Sequence, residues 1–250
     1  MSDKYCLILG ASQGIGLGFV KQLIKEQNYT TIYTVYRNQN TAQELFNLQK
    51  EYPHNIVCLQ GDITQEKDIV NIVEKIKSTA NKLHLVINCV GILHEEEIEP
   101  EKSLKHINND NLLRYFQVNS IPTVLLAKHL LILLKHSEIS IFTTISAKVG
   151  SIEDNYLGGW YGYRASKSAL NMFLKNIAIE YNRVSKKTIV VALHPGTTDT
   201  KLSKPFQGNV VPEKLFSVER CTSQLLSIIN ALNKDDHGKF FSWDGSILPW

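Results

Sequence analysis

The stretch Tyr5-Cys6-Leu7-Ile8-Leu9-Gly10-Ala11-Ser12-Gln13-Gly14-Ile15-Gly16, followed by a helical pattern as far as Glu26, decides the fold. Its first five residues, mostly apolar and β-favouring, read as a buried strand that runs directly into a turn holding three glycines. A helical spacing of apolar residues takes over at Ile15. Strand, glycine turn and helix start in direct succession make a βα unit. Glycine permits positive φ and close backbone approach, while the free N–H groups and dipole at a helix N-terminus attract phosphate. The spacing Gly-x-x-x-Gly-x-Gly differs from the Gly-x-Gly-x-x-Gly dinucleotide fingerprint, and a tight turn with no ligand is the plain alternative.

The same alternation recurs downstream. Strands are expected at 5–9, 31–36, 55–59, 85–88, 140–145 and 189–193, with 240–243 as a seventh. Helices are expected at 15–26, 42–50, 66–79, 122–135, 163–182 and 218–232. Regular β-α alternation implies a parallel sheet covered on both faces, because each parallel connection crosses back over the sheet. The expected fold class is α/β, a doubly wound Rossmann-type sheet of about seven strands. No repeat, low-complexity segment or long Pro/Gly/Ser-rich linker divides the chain, so residues 1–250 are expected to form one domain. Irregular stretches at 94–111, 148–160 and 197–217 each follow a strand, where open α/β sheets bind ligands, and are expected to select the substrate.

Composition narrows the function classes. Of 250 residues, 43% are hydrophobic and 20% charged, which suits a globule with a large core. The net charge of +3 comes from 27 basic and 24 acidic residues scattered along the chain, so no basic stripe points to nucleic acid. Cys6, Cys58, Cys89 and Cys221 are far apart, form no Cys-x-x-Cys motif, and are expected as reduced, mostly buried thiols with no metal. The apolar run from Tyr5 ends too soon at Gly10 for a secretory signal. The most lipid-like stretch, 121–134, is interrupted by Pro122, Lys128 and His129 and falls short of the ~20 residues that span a bilayer. A cytoplasmic protein without a membrane partner is the expectation.

Tyr163 and Lys167 stand four apart in Tyr163-Arg164-Ala165-Ser166-Lys167, so both project from one face of the expected helix. Tyrosine has an ordinary pKa of about 10, and a close ammonium stabilises its phenolate and lowers that value. A tyrosine so tuned can protonate a carbonyl oxygen as hydride arrives. Tyr161 lies six positions before Lys167 and points away.

The Gly10–Gly16 spacing and these two residues resemble the short-chain dehydrogenase/reductase family, and matches continue in order along almost the whole chain. The resemblance implies that Gly10, Ser12, Gln13, Gly14, Ile15 and Gly16 form a cofactor turn. It implies that Asp62 and Ile63, in Gly61-Asp62-Ile63, lie at the adenine. Asn88 to Gly91, in Asn88-Cys89-Val90-Gly91, resembles the family's Asn-Asn-Ala-Gly segment with two residues changed. Pro195, Gly196, Thr198 and Thr200, in Pro195-Gly196-Thr197-Thr198-Asp199-Thr200, would contact nicotinamide. Ser146 resembles the serine that hydrogen-bonds the reacting oxygen, Lys167 also the residue that holds the nicotinamide ribose, and Asn119 the asparagine that positions a water toward that lysine. With Tyr163 they form the tetrad Asn119, Ser146, Tyr163 and Lys167. Each has a bland alternative: Ser146 ends a strand, Asn119 caps the helix near Pro122, and Tyr163 and Lys167 are ordinary helix residues.

The second strand ends in Thr34-Val35-Tyr36-Arg37, with no carboxylate to hold the adenosine ribose. Arg37 offers a fork suited to a 2′-phosphate, so NADP(H) is expected over NAD(H), a solvated arginine being the alternative. The implied activity is hydride transfer between nicotinamide and a small carbonyl or alcohol substrate. The longer 91–119 and 146–163 intervals and the ending Phe240-Phe241-Ser242-Trp243 resemble the branch with C-factor-like and sniffer-like carbonyl reductases. A catalytically weak nucleotide-binding sensor of the same fold is the competing reading, which the complete tetrad disfavours. Finally, the helix after Pro122 is apolar around most of its circumference, so either a homodimer or larger homo-oligomer covers it or the 91–119 connection does.

Overall fold

A computed structural model describes residues 3–250. In chain order it contains β1 (Tyr5–Leu9), α1 (Gly14–Glu26), β2 (Thr31–Tyr36), α2 (Gln43–Glu51), β3 (Ile56–Gln60), α3 (Glu66–Lys77) and β4 (Leu85–Asn88). There follow α4 (Asn109–Asn119), α5 (Ile121–Leu134), β5 (Ser140–Ile145), α6 (Tyr161–Val184) and β6 (Thr188–His194). A small parallel pair, β7 (Thr197–Thr198) and β8 (Leu215–Phe216), precedes α7 (Val218–Ala231) and β9 (Phe240–Ser242).

Seven strands form one parallel sheet in the order β3-β2-β1-β4-β5-β6-β9. The chain winds outward from β1 to β3, returns to β4 on the other side of β1, and winds outward again. It is the Rossmann-type doubly wound architecture, with a crevice where β1 and β4 part. Leu7, Leu9, Val86, Phe142 and Val190 face α3, α5 and α6 in one core, and Cys6, Ile8, Ile87, Val191 and Leu193 face α1, α2 and α7 in the other. Both faces of the strands are therefore buried, as continuous apolar runs require.

Three departures from expectation have local causes. A helix, α4, occupies 109–119, where the sequence analysis expects no helix and reads 94–111 as irregular. The run Asn108-Asn109-Asp110-Asn111 resembles a turn but is a cap: Asn108 Oδ1 accepts the N–H of Asp110 at 2.8 Å and of Asn111 at 3.2 Å. Helix α6 starts at Tyr161, two residues earlier than expected, which places Tyr161 inside the helix. Asn119 does not cap α5; Ser120 holds that position.

Helix α5 is covered mainly by α3, α4, α6 and β5 of its own chain, with Leu126, Leu130, Leu133 and Leu134 buried and Ile121 and Ile132 exposed. Taken together, 109–134 is long and apolar enough to cross a bilayer, yet these leucines lie in the core beside the sheet. All four cysteines are free, Cys6 and Cys221 buried and the other two half-buried.

Three neutral imidazoles pin the ends of the sheet by accepting main-chain hydrogens. His84 Nδ1 accepts the N–H of Tyr5 at 3.0 Å, His194 Nδ1 that of Lys148 at 3.3 Å, and His237 Nδ1 that of Val190 at 3.1 Å. Burial holds all three below the usual histidine range, His194 down to about 4, and for His84 it outweighs the attraction of Glu138. Protonation would also remove each acceptor.

The unfolded chain, with histidines near pKa 6.5, therefore binds more protons than the folded one below that pH. Their contribution is present above about pH 6.5 and is lost as pH falls toward the folded values. Urea unfolding at pH 7.5 and 5.0 should show lower stability at the acid end, with His194 contributing up to about 3 kcal/mol by pH 4. His194→Asn should flatten the slope; an unchanged slope would refute the assignment.

Candidate active site

At the end of β1 the backbone enters the left-handed region at Gly10 (φ 73) and again at Gly14 (φ 55). A Cβ on Gly16 would lie 2.1 Å from the Gly10 carbonyl oxygen, so only glycine allows this close return. Helix α1 then begins with no side-chain cap and no acidic residue in its first turn. The first turn of this thirteen-residue helix thus presents uncapped N–H groups and the positive end of a dipole to the crevice between β1 and β4. This donor set fits a pyrophosphate. Thr200 faces the turn, its Cγ2 lying 3.4 Å from where a Gly14 Cβ would be.

The other expected cofactor residues border the same crevice with different freedom. Arg37 is exposed at the end of β2, and its guanidinium makes no hydrogen bond or ion pair among the described residues. Asp62 Oδ1 accepts the main-chain and hydroxyl hydrogens of Thr64 at 2.9 and 2.8 Å, fixing the turn after β3. The Ile63 side chain is buried in the core, which leaves its main chain for any ligand. Asn88 is also buried: it donates to Thr123 Oγ1 at 3.0 Å and accepts the Val90 N–H at 3.1 Å, so its side chain shapes the turn after β4. A Cβ on Gly91 would stand 3.4 Å from Lys167 Nζ and 3.3 Å from Asn119 Oδ1, which places Gly91 beside both. Pro195 and Gly196 lead into β7, where the Thr198 hydroxyl donates to the Pro195 carbonyl at 3.2 Å.

The four residues expected as the tetrad gather around α6, which itself carries Tyr163 and Lys167. Tyr163 is 7% exposed and Lys167 4% exposed, on one helix face, with the Lys167 ammonium 5.9 Å from the centre of the Tyr163 ring. Lys167 Nζ donates to the carbonyl of Ile145 at 3.1 Å, beside Ser146 at the end of β5. Ser146 Oγ donates to Asn171 Oδ1 at 2.6 Å. Asn119 ties the loop after β4 to the helix: its Oδ1 accepts the Ile92 N–H at 2.8 Å, and Nδ2 donates to the Ile92 carbonyl and to Ser166 Oγ, each at 3.0 Å. Both amide hydrogens are thereby committed, so a water held by Asn119, as the resemblance implies, would donate to one of its oxygens. Tyr161 is exposed to solvent.

Burial sets the electrostatics here. It pushes the Tyr163 phenol up from its ordinary value, the opposite of the lowering expected from its neighbour. It also brings the Lys167 ammonium down to about 8, with a small opposing effect from Cys89. Desolvation disfavours each charged form and is the leading cause of both shifts. His194 is neutral and packed, as its bond to the Lys148 N–H requires.

The model of the family described as short chain dehydrogenase matches residues 4–210 of this sequence. The chain belongs to that family. A benzil reductase, (S)-benzoin forming, from Saccharomyces cerevisiae is 34% identical over 226 residues, 88% of this chain and 81% of the yeast protein. The carbonyl reductase Sniffer of D. melanogaster superposes with a TM-score of 0.88 at 28% identity, over 100% of both chains. An NADPH-bound carbonyl reductase from chicken fatty liver superposes with a TM-score of 0.87 at 27% identity, again over 100% of both. The protein is thus an oxidoreductase of the short-chain dehydrogenase family, with sniffer-like carbonyl reductases among its structural relatives.

This short-chain dehydrogenase has two site residues that sequence reasoning missed. Asn171 follows Lys167 by four positions, so continuing the Tyr163–Lys167 period along α6 would have found it. Glu101 has no such signal, because it acts across the fold. Buried in the loop after β4, it accepts the Gly162 N–H on Oε2 at 3.1 Å and the Trp160 N–H on its own carbonyl at 2.5 Å. One residue therefore clamps the start of α6 immediately before Tyr163. Three successive left-handed residues, Gly158 (φ 64), Gly159 (φ 64) and Trp160 (φ 51), lead into that clamp. Ahead of them Tyr156 and Leu157 are 86% and 91% exposed.

Removing the clamp should loosen the helix start. Glu101→Ala should cost about 1–3 kcal/mol in urea unfolding, since it leaves a buried N–H unpaired, while Glu101→Gln, which keeps an acceptor, should cost less. Equal stability of wild type and Glu101→Ala would dismiss the clamp.

Proposed function

We propose that this enzyme is an NADP(H)-dependent carbonyl reductase in which Tyr163 donates the proton. The observation that carries the reading is the buried Tyr163–Lys167 pair on α6, with Ser146 beside it, facing a crevice whose opposite wall is the uncapped start of α1. When bound, a nicotinamide dinucleotide supplies the hydride. Ser146 would orient the substrate's carbonyl oxygen, and the Tyr163 hydroxyl would give that oxygen its proton, leaving an alcohol and a phenolate. The nearby Lys167 ammonium would stabilise that phenolate and reduce the cost of forming it in a buried site. Asn119 would hold the loop carrying Gly91 and Ile92 against α6, which keeps the cofactor side and the proton side in register.

Cofactor choice rests on Arg37, whose free, planar guanidinium suits a 2′-phosphate. The NADPH in the chicken relative supports that choice. Substrate class rests on the walls around Tyr163: Ile92, Val149, Trp160, Leu202 and Phe206 pack with it, and the Trp160 ring meets Tyr163 and Phe206 edge to face at 6.1 and 5.2 Å. Such walls favour apolar, aromatic carbonyl compounds, and the name of the yeast relative points the same way. A homodimer joined through the exposed Met172 and Ile179 of α6 and Ile132 of α5, in a cytoplasm that keeps the four thiols reduced, completes the proposal.

A panel of aldehydes, ketones, diketones and quinones, followed by NADPH oxidation, tests the activity. Turnover of none of them would favour the nucleotide-binding sensor. On any compound turned over, Tyr163→Phe should lower the rate by at least about a hundredfold with NADPH affinity nearly unchanged, because only the proton donor is removed. Wild-type turnover in that variant would end the tyrosine mechanism. In fluorescence titrations NADPH should bind more tightly than NADH, and Arg37→Asp should reduce the preference by about tenfold or more. Equal affinities in the unaltered protein would refute the role of Arg37.

A further inference from the structure

Asn171 lies four residues past Lys167 and eight past Tyr163, which keeps it on the same face of α6. It is 3% exposed. Its Oδ1 accepts the Ser146 hydroxyl at 2.6 Å, while its Nδ2 has no hydrogen-bond partner among the described residues. A serine hydroxyl carries one hydrogen. While Asn171 holds it, Ser146 presents only lone pairs and has nothing to donate to a carbonyl oxygen. A half-turn of the amide exchanges its ends. Nδ2 then donates to Ser146 Oγ, the serine hydrogen is released, and the unpartnered atom becomes an oxygen instead of an N–H donor. Buried donors are orphaned more rarely than buried carbonyl oxygens, so the half-turn also suits the amide itself.

We propose that Asn171 is a positioning residue of the reaction: its amide donates from Nδ2 to Ser146 Oγ and so turns the serine's single hydrogen toward the substrate's carbonyl oxygen. The proposal rests on the role given to Ser146 above. On it, α6 carries on one rigid face the proton donor, the ammonium beside it, and the group that aims the hydroxyl at the end of β5.

The test uses the full chain with NADPH and benzil as the probe, comparing Ser146→Ala, Asn171→Ala, Asn171→Asp and the Ser146→Ala/Asn171→Ala double variant. Asn171→Ala should lower kcat about tenfold to a hundredfold, the range found when a group orienting a direct ligand is lost. KM and NADPH affinity should stay within about twofold. In the Ser146→Ala background the same substitution should add almost nothing, because its target is gone. Asn171→Asp preserves the shape, yet an ionised carboxylate only accepts, whereas the neutral acid donates. Relative to wild type, its kcat should therefore rise as pH falls. Wild-type kcat in Asn171→Ala, additive losses in the double variant, or a pH-independent deficit in Asn171→Asp would each overturn the proposal. Wild-type turnover in Ser146→Ala is a distinct failure, which removes the serine's role and with it anything for Asn171 to position. A further arm needs no turnover: the isotope-labelled Asn171 side-chain amide resonance should shift in Ser146→Ala, and an unmoved resonance would overturn the contact.

Discussion

In the turn after β1, the Gly10 carbonyl oxygen sits 2.1 Å from where a Gly16 Cβ would be, so the chain leaving the strand folds back directly onto the first turn of α1. The other side of Gly10 is equally crowded, with Val90 Cγ2 and the Cys89 backbone within 3.1 to 3.3 Å of a Gly10 Cβ. Two backbones and a helix end therefore meet at one point, where the sheet order reverses between β1 and β4. A side chain there would push α1 off the strand end and separate β1 from the turn after β4. Everything functional is arranged around this closure: Gly91 continues from the turn to Lys167, and Thr200 comes across from the loop after β6 to face Gly14.

What surrounds the crevice on the α6 side is costly to fold. Lys167 is buried with one carbonyl acceptor, Tyr163 is buried with its phenol pushed up, and one end of the Asn171 amide is unpartnered. Buried polar groups are normally satisfied, and an arrangement of this kind is sustained by stability contributed elsewhere. Here the two apolar cores on either face of the sheet make that contribution. Packing from both cores supports the site together with its own hydrogen bonds from Glu101 and Asn119, and the Asn171 amide retains bonding capacity.

Reading the residues alone yields the alternation, the sheet and the Tyr163–Lys167 pair, because each is written in local period: two for strands, three to four for helices, four between Tyr163 and Lys167. Ser146 and Asn119 enter only through the family resemblance. Where meaning depends on distant partners, the reading stops. The Asn-rich 108–111 run looks like a turn until its side chain is seen to cap a helix. Glu101 is one acidic residue among several until the fold sets it against Gly162. The direction of the Tyr163 shift follows from how much apolar surface closes over the ring, which only the packed molecule defines. Asn171 was legible in principle, since the same period that pairs Tyr163 with Lys167 reaches it one turn later.

The left-handed run from Gly158 to Trp160 divides the chain into two economies of change. Before it lies a solvent-exposed segment with Tyr156 and Leu157 at its tip; after it, the Glu101 clamp holds the first turn of α6. Sequence drift in the exposed segment is absorbed at the glycines and is not transmitted to the helix. New loop lengths and new tip residues can therefore be sampled in evolution while the geometry of Tyr163 and Lys167 on α6 stays as it was.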